Sequence, residues 1–312
     1  MQLVDQLLAG DRRAVARLIT LVENRAPEAR GLLAALHPHT GKAHIVGFTG
    51  SPGTGKSTLV DQVAKAMRRE GATIGIVAVD PTSPFSGGAI LGDRIRMQEL
   101  SSDPGVFIRS MATRGALGGL ARATSDVIKV LDAFGKDIIL VETVGVGQDE
   151  VEIARAAHTT IVVEAPGMGD DIQAIKAGVL EIADILVVNK ADREGAERTV
   201  AALEMMLDLS GQVASGWRPP VLRTVATQDI GIADLVSAIG NHRRHLVHSG
   251  LLLNQERERV RRELLSIAAD QLYANLMAGA GADMIDSLVD DIVCRRIDPY
   301  RAAETLVERV MP

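Results

Sequence analysis

The sequence predicts an α/β fold: a doubly wound, mostly parallel sheet extended by helices at its amino end and by a helical arm at its carboxyl end. Three observations predict it. Between residues 43 and 240 short aliphatic runs alternate with amphipathic stretches. A glycine-rich loop follows the first of those runs directly. After about residue 241 no strand pattern remains.

Residues 1–40 read as helical, with Leu3, Val4, Leu7, Leu8, Ala14, Val15, Leu18, Ile19 and Val22 near helical spacing and a break at Gly10-Asp11. Residues 37–42 read as a linker. The predicted strands are 44–49, 73–79, 106–110, 137–142, 160–165, 184–189 and 221–226. Several are continuous apolar runs, as strands covered on both faces require. Helices fit between them, for example over 57–70 and 192–208. The segment 81–93 carries three glycines and two prolines, too long and broken for a crossover turn, and reads as a functional loop. The expected organisation is a helical extension (1–40), a nucleotide-binding domain (41–240) and a helical region (241–312) whose apolar face suits pairing with a second copy.

Composition narrows the setting. Aromatic residues are only 2% of the 312, so the core must be aliphatic. A net charge of −6 argues against nonspecific adhesion to nucleic acid or to an anionic membrane. The single Cys294 can form no internal disulfide, which fits a reducing compartment. Asp5 interrupts the first apolar stretch, and no uncharged run approaches the roughly 18 residues a membrane span needs. These features predict a cytoplasmic protein with neither a nucleic-acid nor a membrane partner.

Gly50-Ser51-Pro52-Gly53-Thr54-Gly55-Lys56-Ser57 matches G-x-x-x-x-G-K-[ST], placed between a strand and a helix as the motif requires. The glycines let successive amides point into an anion-sized nest, and the helix start, with Thr58 behind it, adds positive partial charge. Lys56 is expected on the β- and γ-phosphates and the Ser57 hydroxyl on Mg2+. A second acidic contributor is expected at a neighbouring strand end. Glu142, followed by Gly145 in E-x-x-G, suits the metal shell and the γ-phosphate. Asp80 and Asp93 are candidates for coordinating the metal or orienting the attacking water; Asp93 suits a helix N-cap equally well.

Asn189-Lys190-Ala191-Asp192 reads N-K-x-D at the end of a strand. Its carboxylate can accept from both N1–H and the N2 amino group of guanine, whereas adenine would leave it unmatched; such sites discriminate by about 10⁴–10⁵. GTP rather than ATP is therefore the expected ligand. Asn189 should brace neighbouring loops, the Lys190 stem should lie over the base, and Val225-Ala226 is the nearest match to the segment that presents an amide to guanine O6.

Together GFTGSPGTGKST, VDPTSPFSGGAILGDRIRM, FIRSMATRGALGGLARAT, VETVGVGQDEVEIA and VVNKAD resemble the methylmalonyl-CoA mutase-associated GTPases, the MeaB/ArgK group. The resemblance spans the whole chain, and the segment 80–97 makes it specific. It implies a homodimeric G-protein chaperone that binds the adenosylcobalamin-dependent mutase, gates cofactor loading from an adenosyltransferase and protects the mutase from inactivation. It also implies a GTPase that is slow alone and stimulated by that partner. Switch segments carry over to 80–96, 143–153 and 167–178, with Gln148, Asp171, Gln173 and Lys176 as signalling groups. The serine typical of the family after Gln148 is Asp149 here, which adds negative charge to the second switch.

Three rival readings share parts of this pattern. A metal-insertion GTPase would carry cysteine or histidine clusters; His37, His39 and His44 near a linker and His242, His245 and His248 along a helical segment, with no cysteine nearby, read as surface residues rather than ligands. A P-loop small-molecule kinase would need an acceptor pocket and no N-K-x-D. A scaffold that binds nucleotide without turnover is the third.

Overall fold

The computed structural model describes residues 2–80, 97–112, 119–143, 155–167, 181–209 and 216–310. Seven strands form one sheet: β1 (His44–Thr49), β2 (Ile74–Asp80), β3 (Val106–Ala112), β4 (Ile138–Thr143), β5 (Thr159–Glu164), β6 (Ile185–Asn189) and β7 (Val221–Thr224). Their order is β3-β2-β4-β1-β5-β6-β7, and every pair is parallel, so the expected mostly parallel sheet is parallel throughout. All strands therefore start at one edge and end at the other, which gathers the ligand crevice at their carboxyl ends.

The helices are α1 (Gln2–Leu8), α2 (Arg12–Glu23), α3 (Ala29–Leu36), α4 (Lys56–Arg69), α5 (Gln98–Ser101), α6 (Gly119–Ala133), α7 (Ala196–Leu209), α8 (Ile232–His248), α9 (Leu251–Val293) and α10 (Pro299–Val310). Alternate residues of the strands supply the two faces. Val77, Val79, Ile139 and Val141 pack with Val15, Leu18 and Ile19 of α2 and Val127 and Leu131 of α6. On the opposite face Val46, Phe48, Leu140, Ile161 and Val163 meet Leu59, Val60 and Val63 of α4 and Leu235 and Ile239 of α8. α1–α3 thus share an apolar cluster with the sheet. An ion pair of Glu23 with Arg109 of β3, including a 2.8 Å bond from Nε, ties them to it further. Buried Asp132 accepts from the amides of Lys42 and Ala43 at 3.1 and 2.9 Å, which fixes the approach of the chain into β1.

Two predicted boundaries shift for local reasons. The strand expected over 221–226 stops at Thr224, because Val225 bridges to Ile230 and Ala226–Gln228 forms a 3-10 turn. The helix expected from 192 begins at Ala196, because Lys190 (φ 57°) and Gly195 (φ 91°) are left-handed and turn the chain before it can coil.

The chain divides into two compact units, residues 1–252 and 253–312. In the second, α9 is broken at Gly281 (φ 67°, ψ 158°) and exposes Leu264, Leu265, Leu272 and Tyr273. Among the described residues no helix is long and apolar enough to cross a membrane.

Candidate nucleotide site

The central strand β1 empties into the glycine loop, and α4 starts at Lys56. Gly50, Gly53 and Gly55 take φ values of 131°, 81° and 92°, a region that side chains rarely adopt. A Cβ on Gly50 would lie 2.1 Å from the Val163 carbonyl oxygen of β5, and one on Gly55 would lie 2.6 Å from Asn189 Nδ2. The loop is therefore pressed against its neighbours and could not carry side chains at these points. Lys56 is buried, and its Nζ donates to the carbonyls of Gly50 at 2.8 Å and Ser51 at 3.0 Å. The Thr54 hydroxyl donates to Ser51 O at 2.9 Å and closes the turn. To meet a phosphate, the Lys56 ammonium must exchange or share those carbonyls.

Glu142 stands beside Phe48 in the β1–β4 register, one residue short of the strand end. It is 2% exposed, and its Oε1 accepts from the Ser57 hydroxyl at 2.6 Å. A hydroxyl and a buried carboxylate at the mouth of a phosphate loop are hard oxygen donors that suit Mg2+. Asp80 closes β2 two residues beyond Ala78, the register partner of Glu142; its backbone is thus at the same sheet edge.

On the other side of the cup, Asn189 ends β6. Its Nδ2 donates to Thr54 O at 2.8 Å, and its Oδ1 accepts from the Thr224 hydroxyl at 3.0 Å and the Ala226 amide at 3.2 Å. One fully buried amide side chain thus joins the phosphate loop to the end of β7. Lys190 reaches back to donate to Gly53 O at 2.6 Å. Asp192 is exposed in the turn that follows, which Ala191 N holds to Thr224 O at 3.0 Å. The Val225 amide donates to Ile230 O at 3.0 Å, so both amides of Val225-Ala226 already have partners within the chain. An O6 contact from Ala226 would have to share the Asn189 bond.

The structure thus brings Gly50, Ser51, Gly53, Thr54, Gly55, Lys56, Ser57, Glu142, Asn189, Lys190, Val225 and Ala226 to one end of the sheet. Pro52 lies exposed on the loop, and Thr58 is half-buried in the first turn of α4. Asp93, Gly145, Gln148, Asp171, Gln173 and Lys176 lie outside the described residues. Thr224 and the Val163 carbonyl were not singled out from the sequence. A threonine at the last position of a strand beside N-K-x-D is a usable signal; a backbone carbonyl under Gly50 leaves none. The histidines need correction: His44 and His242 are buried, not surface residues, because each hydrogen-bonds Thr159 beneath α8.

A wholly parallel sheet whose central strand feeds a phosphate cup, with N-K-x-D two strands along and braced into that cup, places the chain among the P-loop GTPases. It belongs to the methylmalonyl Co-A mutase-associated GTPase MeaB family, whose profile matches residues 15–281. A Pyrococcus abyssi protein named as a GTPase is 52% identical over 312 residues, covering 99% of this chain and 96% of its own length. The mitochondrial methylmalonic aciduria type A homolog of Caenorhabditis elegans is 30% identical over 325 residues, covering 98% of this chain and 82% of its own. The crystal structure of an LAO/AO transport system kinase superposes with a TM-score of 0.74 at 27% identity, covering 100% of this chain and 97% of that one.

Proposed function

We propose that this guanine-nucleotide-binding GTPase uses Mg2+-dependent hydrolysis to drive a switch that serves an adenosylcobalamin-dependent methylmalonyl-CoA mutase. The observation that carries the hydrolytic reading is the 2.6 Å contact between Ser57 and Glu142 at the mouth of the cup. These two groups, with Asp80 and Asp93, would hold Mg2+, which would neutralise charge on the β- and γ-phosphates. The amides of the loop and Lys56 bind the phosphate tail. Lys190 and Asp192 read the base, while Asn189 keeps the base side and the phosphate side at a fixed distance. With little covalent chemistry for the protein to perform, positioning and charge stabilisation supply the acceleration.

The client rests on the family match over 15–281 and on the name of the Caenorhabditis elegans relative. The partners in this reading are the mutase, the adenosyltransferase that supplies its cofactor, and a second copy of the chain. The exposed Leu264, Leu265, Leu272 and Tyr273 of α9 suit the homodimer, since a monomer rarely leaves so much apolar surface on one helix. Switch signalling in this reading runs through Gln148, Asp171, Gln173 and Lys176, and the setting is the cytoplasm.

A pull-down with purified mutase in GTP-, GDP- and nucleotide-free states tests the client. Complex formation that depends on the nucleotide is expected. Equal absence in all three states would assign the GTPase to another client.

A further inference from the structure

The strands begin at the edge opposite the nucleotide site, and there a continuous line of polar side chains runs beneath α8. His44 Nε2 lies 2.9 Å from the Thr159 hydroxyl, the same hydroxyl lies 2.9 Å from His242 Nδ1, and His242 Nε2 lies 3.3 Å from Asp184 Oδ1. His44, Thr159 and His242 are 3%, 0% and 2% exposed, whereas 27% of the Asp184 side chain reaches solvent. Asp184 is held from two sides: its Oδ2 accepts from Thr160 N at 2.8 Å, and its carbonyl accepts from the Trp217 indole at 2.8 Å.

We infer that His44, Thr159, His242 and Asp184 form a two-state proton relay, in which ionisation of Asp184 sets the tautomer of both buried histidines and reverses both hydrogen bonds at Thr159.

The argument is one of donor counting. A neutral imidazole donates from one nitrogen and accepts at the other, and a hydroxyl has one proton to give. The two bonds at Thr159 must therefore point the same way, and the protonation state of Asp184, 3.3 Å from His242 Nε2, decides which. When Asp184 is protonated, the Thr160 amide occupies Oδ2, so the acid proton sits on Oδ1 and is given to His242 Nε2. His242 then donates from Nδ1 to Thr159, and Thr159 donates to His44 Nε2. When Asp184 is ionised, His242 donates from Nε2 to the carboxylate, Thr159 donates to His242 Nδ1, and His44 donates from Nε2 to Thr159. Passing from the protonated to the ionised state moves one proton from Asp184 to His242, one from His242 to Thr159 and one from Thr159 to His44, and His44 Nδ1 gives up the proton that is lost. Both Thr159 bonds persist in either state, so α8 remains fastened to β1 and β5 throughout.

The surroundings keep the rings neutral, as the relay requires. Burial, then His158, Arg243 and His242, lowers His44 to about 3; burial, then His245, lowers His242 to about 4. Burial raises Asp184 to about 7 against the opposing Thr160 amide, so the acid changes state near neutrality while the histidines do not charge. The rings that face the relay are His158, 5.4 Å from His44, with Trp217 and His245 at 4.9 and 6.5 Å from His242. His158 Nδ1 accepts from Ile45 N at 3.1 Å, which pins its tautomer and makes it an internal reference.

The test is long-range 1H–15N correlation of the imidazoles in the full chain, from about pH 5.5 to about pH 8.5. His242 and His44 should exchange their protonated nitrogen together near neutral pH while His158 holds. Asp184→Asn should freeze both rings in one tautomer across the range. Thr159→Val should leave His242 responding and uncouple His44. Fixed tautomers for His44 and His242 in the unsubstituted chain would overturn the relay whether or not a variant folds. So would a His44 transition that survives Thr159→Val unchanged.

Discussion

Replacing Asn189 with alanine separates bracing from base reading, because its bonds lie within the protein. The side chain is 2% exposed and is bonded to Thr54 O, the Thr224 hydroxyl and the Ala226 amide at 2.8, 3.0 and 3.2 Å. Each buried group stripped of its partner costs about 1–3 kcal/mol, so three give about 3–9 kcal/mol as an upper range. The Thr224 hydroxyl can rotate toward another acceptor, which leaves two groups and about 2–6 kcal/mol as the expected loss. For a unit of this size that lowers Tm by about 4–24 °C. Urea unfolding of nucleotide-free Asn189→Ala, alongside Thr224→Val at about 1 kcal/mol and the double variant, gives the assay. The double variant should cost less than the sum, since both substitutions remove the same bond. A nucleotide-free Asn189→Ala within about 0.5 kcal/mol of the unsubstituted chain would refute the brace, because a residue that only met the base would show no cost there.

Gly50→Ala should abolish nucleotide binding, since its Cβ would sit 2.1 Å from the Val163 carbonyl at a φ of 131°; calorimetry with GDP checks this, and retained affinity would contradict the close approach. The pH dependence of stability follows from three groups. His44 and His242, lowered to about 3 and about 4 from 6.5, contribute stability that is complete above 6.5 and lost as pH falls. Asp184, raised to about 7 from 3.8, contributes stability that is lost as pH rises through that window. Between about pH 5.5 and about pH 4.5, unfolding thus takes up nearly two protons on the histidines and releases nearly one from Asp184. The net slope is about 1.4 kcal/mol per pH unit, doubling in Asp184→Asn, as urea unfolding at the two pH values would register. Asp192→Asn should shift preference from GTP toward a xanthosine nucleotide, measured by competition binding, because the amide gives a donor where guanine N1–H needs an acceptor.

The parts of the fold that were legible in the sequence are those whose signal is local. Val46 and Phe48 alternate with Ile45 across two apolar faces, and the run empties into a motif whose glycines occupy the left-handed backbone the loop needs. N-K-x-D at the end of β6 was legible in the same way. Pairings across long stretches of chain were less so. Ser57 and Glu142 are 85 residues apart, and only the parallel register of β1 with β4 brings them together. Thr224 became a partner of Asn189 because β6 and β7 pair those two positions directly. His44 and His242 suit surface positions by sequence alone because nothing local reveals their shared partner, Thr159 of β5, 115 and 83 residues away along the chain. The early end of β7 has the same origin, since the bridge from Val225 to Ile230 is a tertiary choice.

The measurement that bears most directly on the central claim is phosphate release from GTP and ATP with Mg2+, by the unsubstituted chain and by Lys56→Ala. Release from GTP but not ATP, lost when Lys56 is removed from between Gly50, Ser51 and the phosphates, is the predicted result. Equal turnover of the two nucleotides, or undiminished turnover by Lys56→Ala, would contradict it.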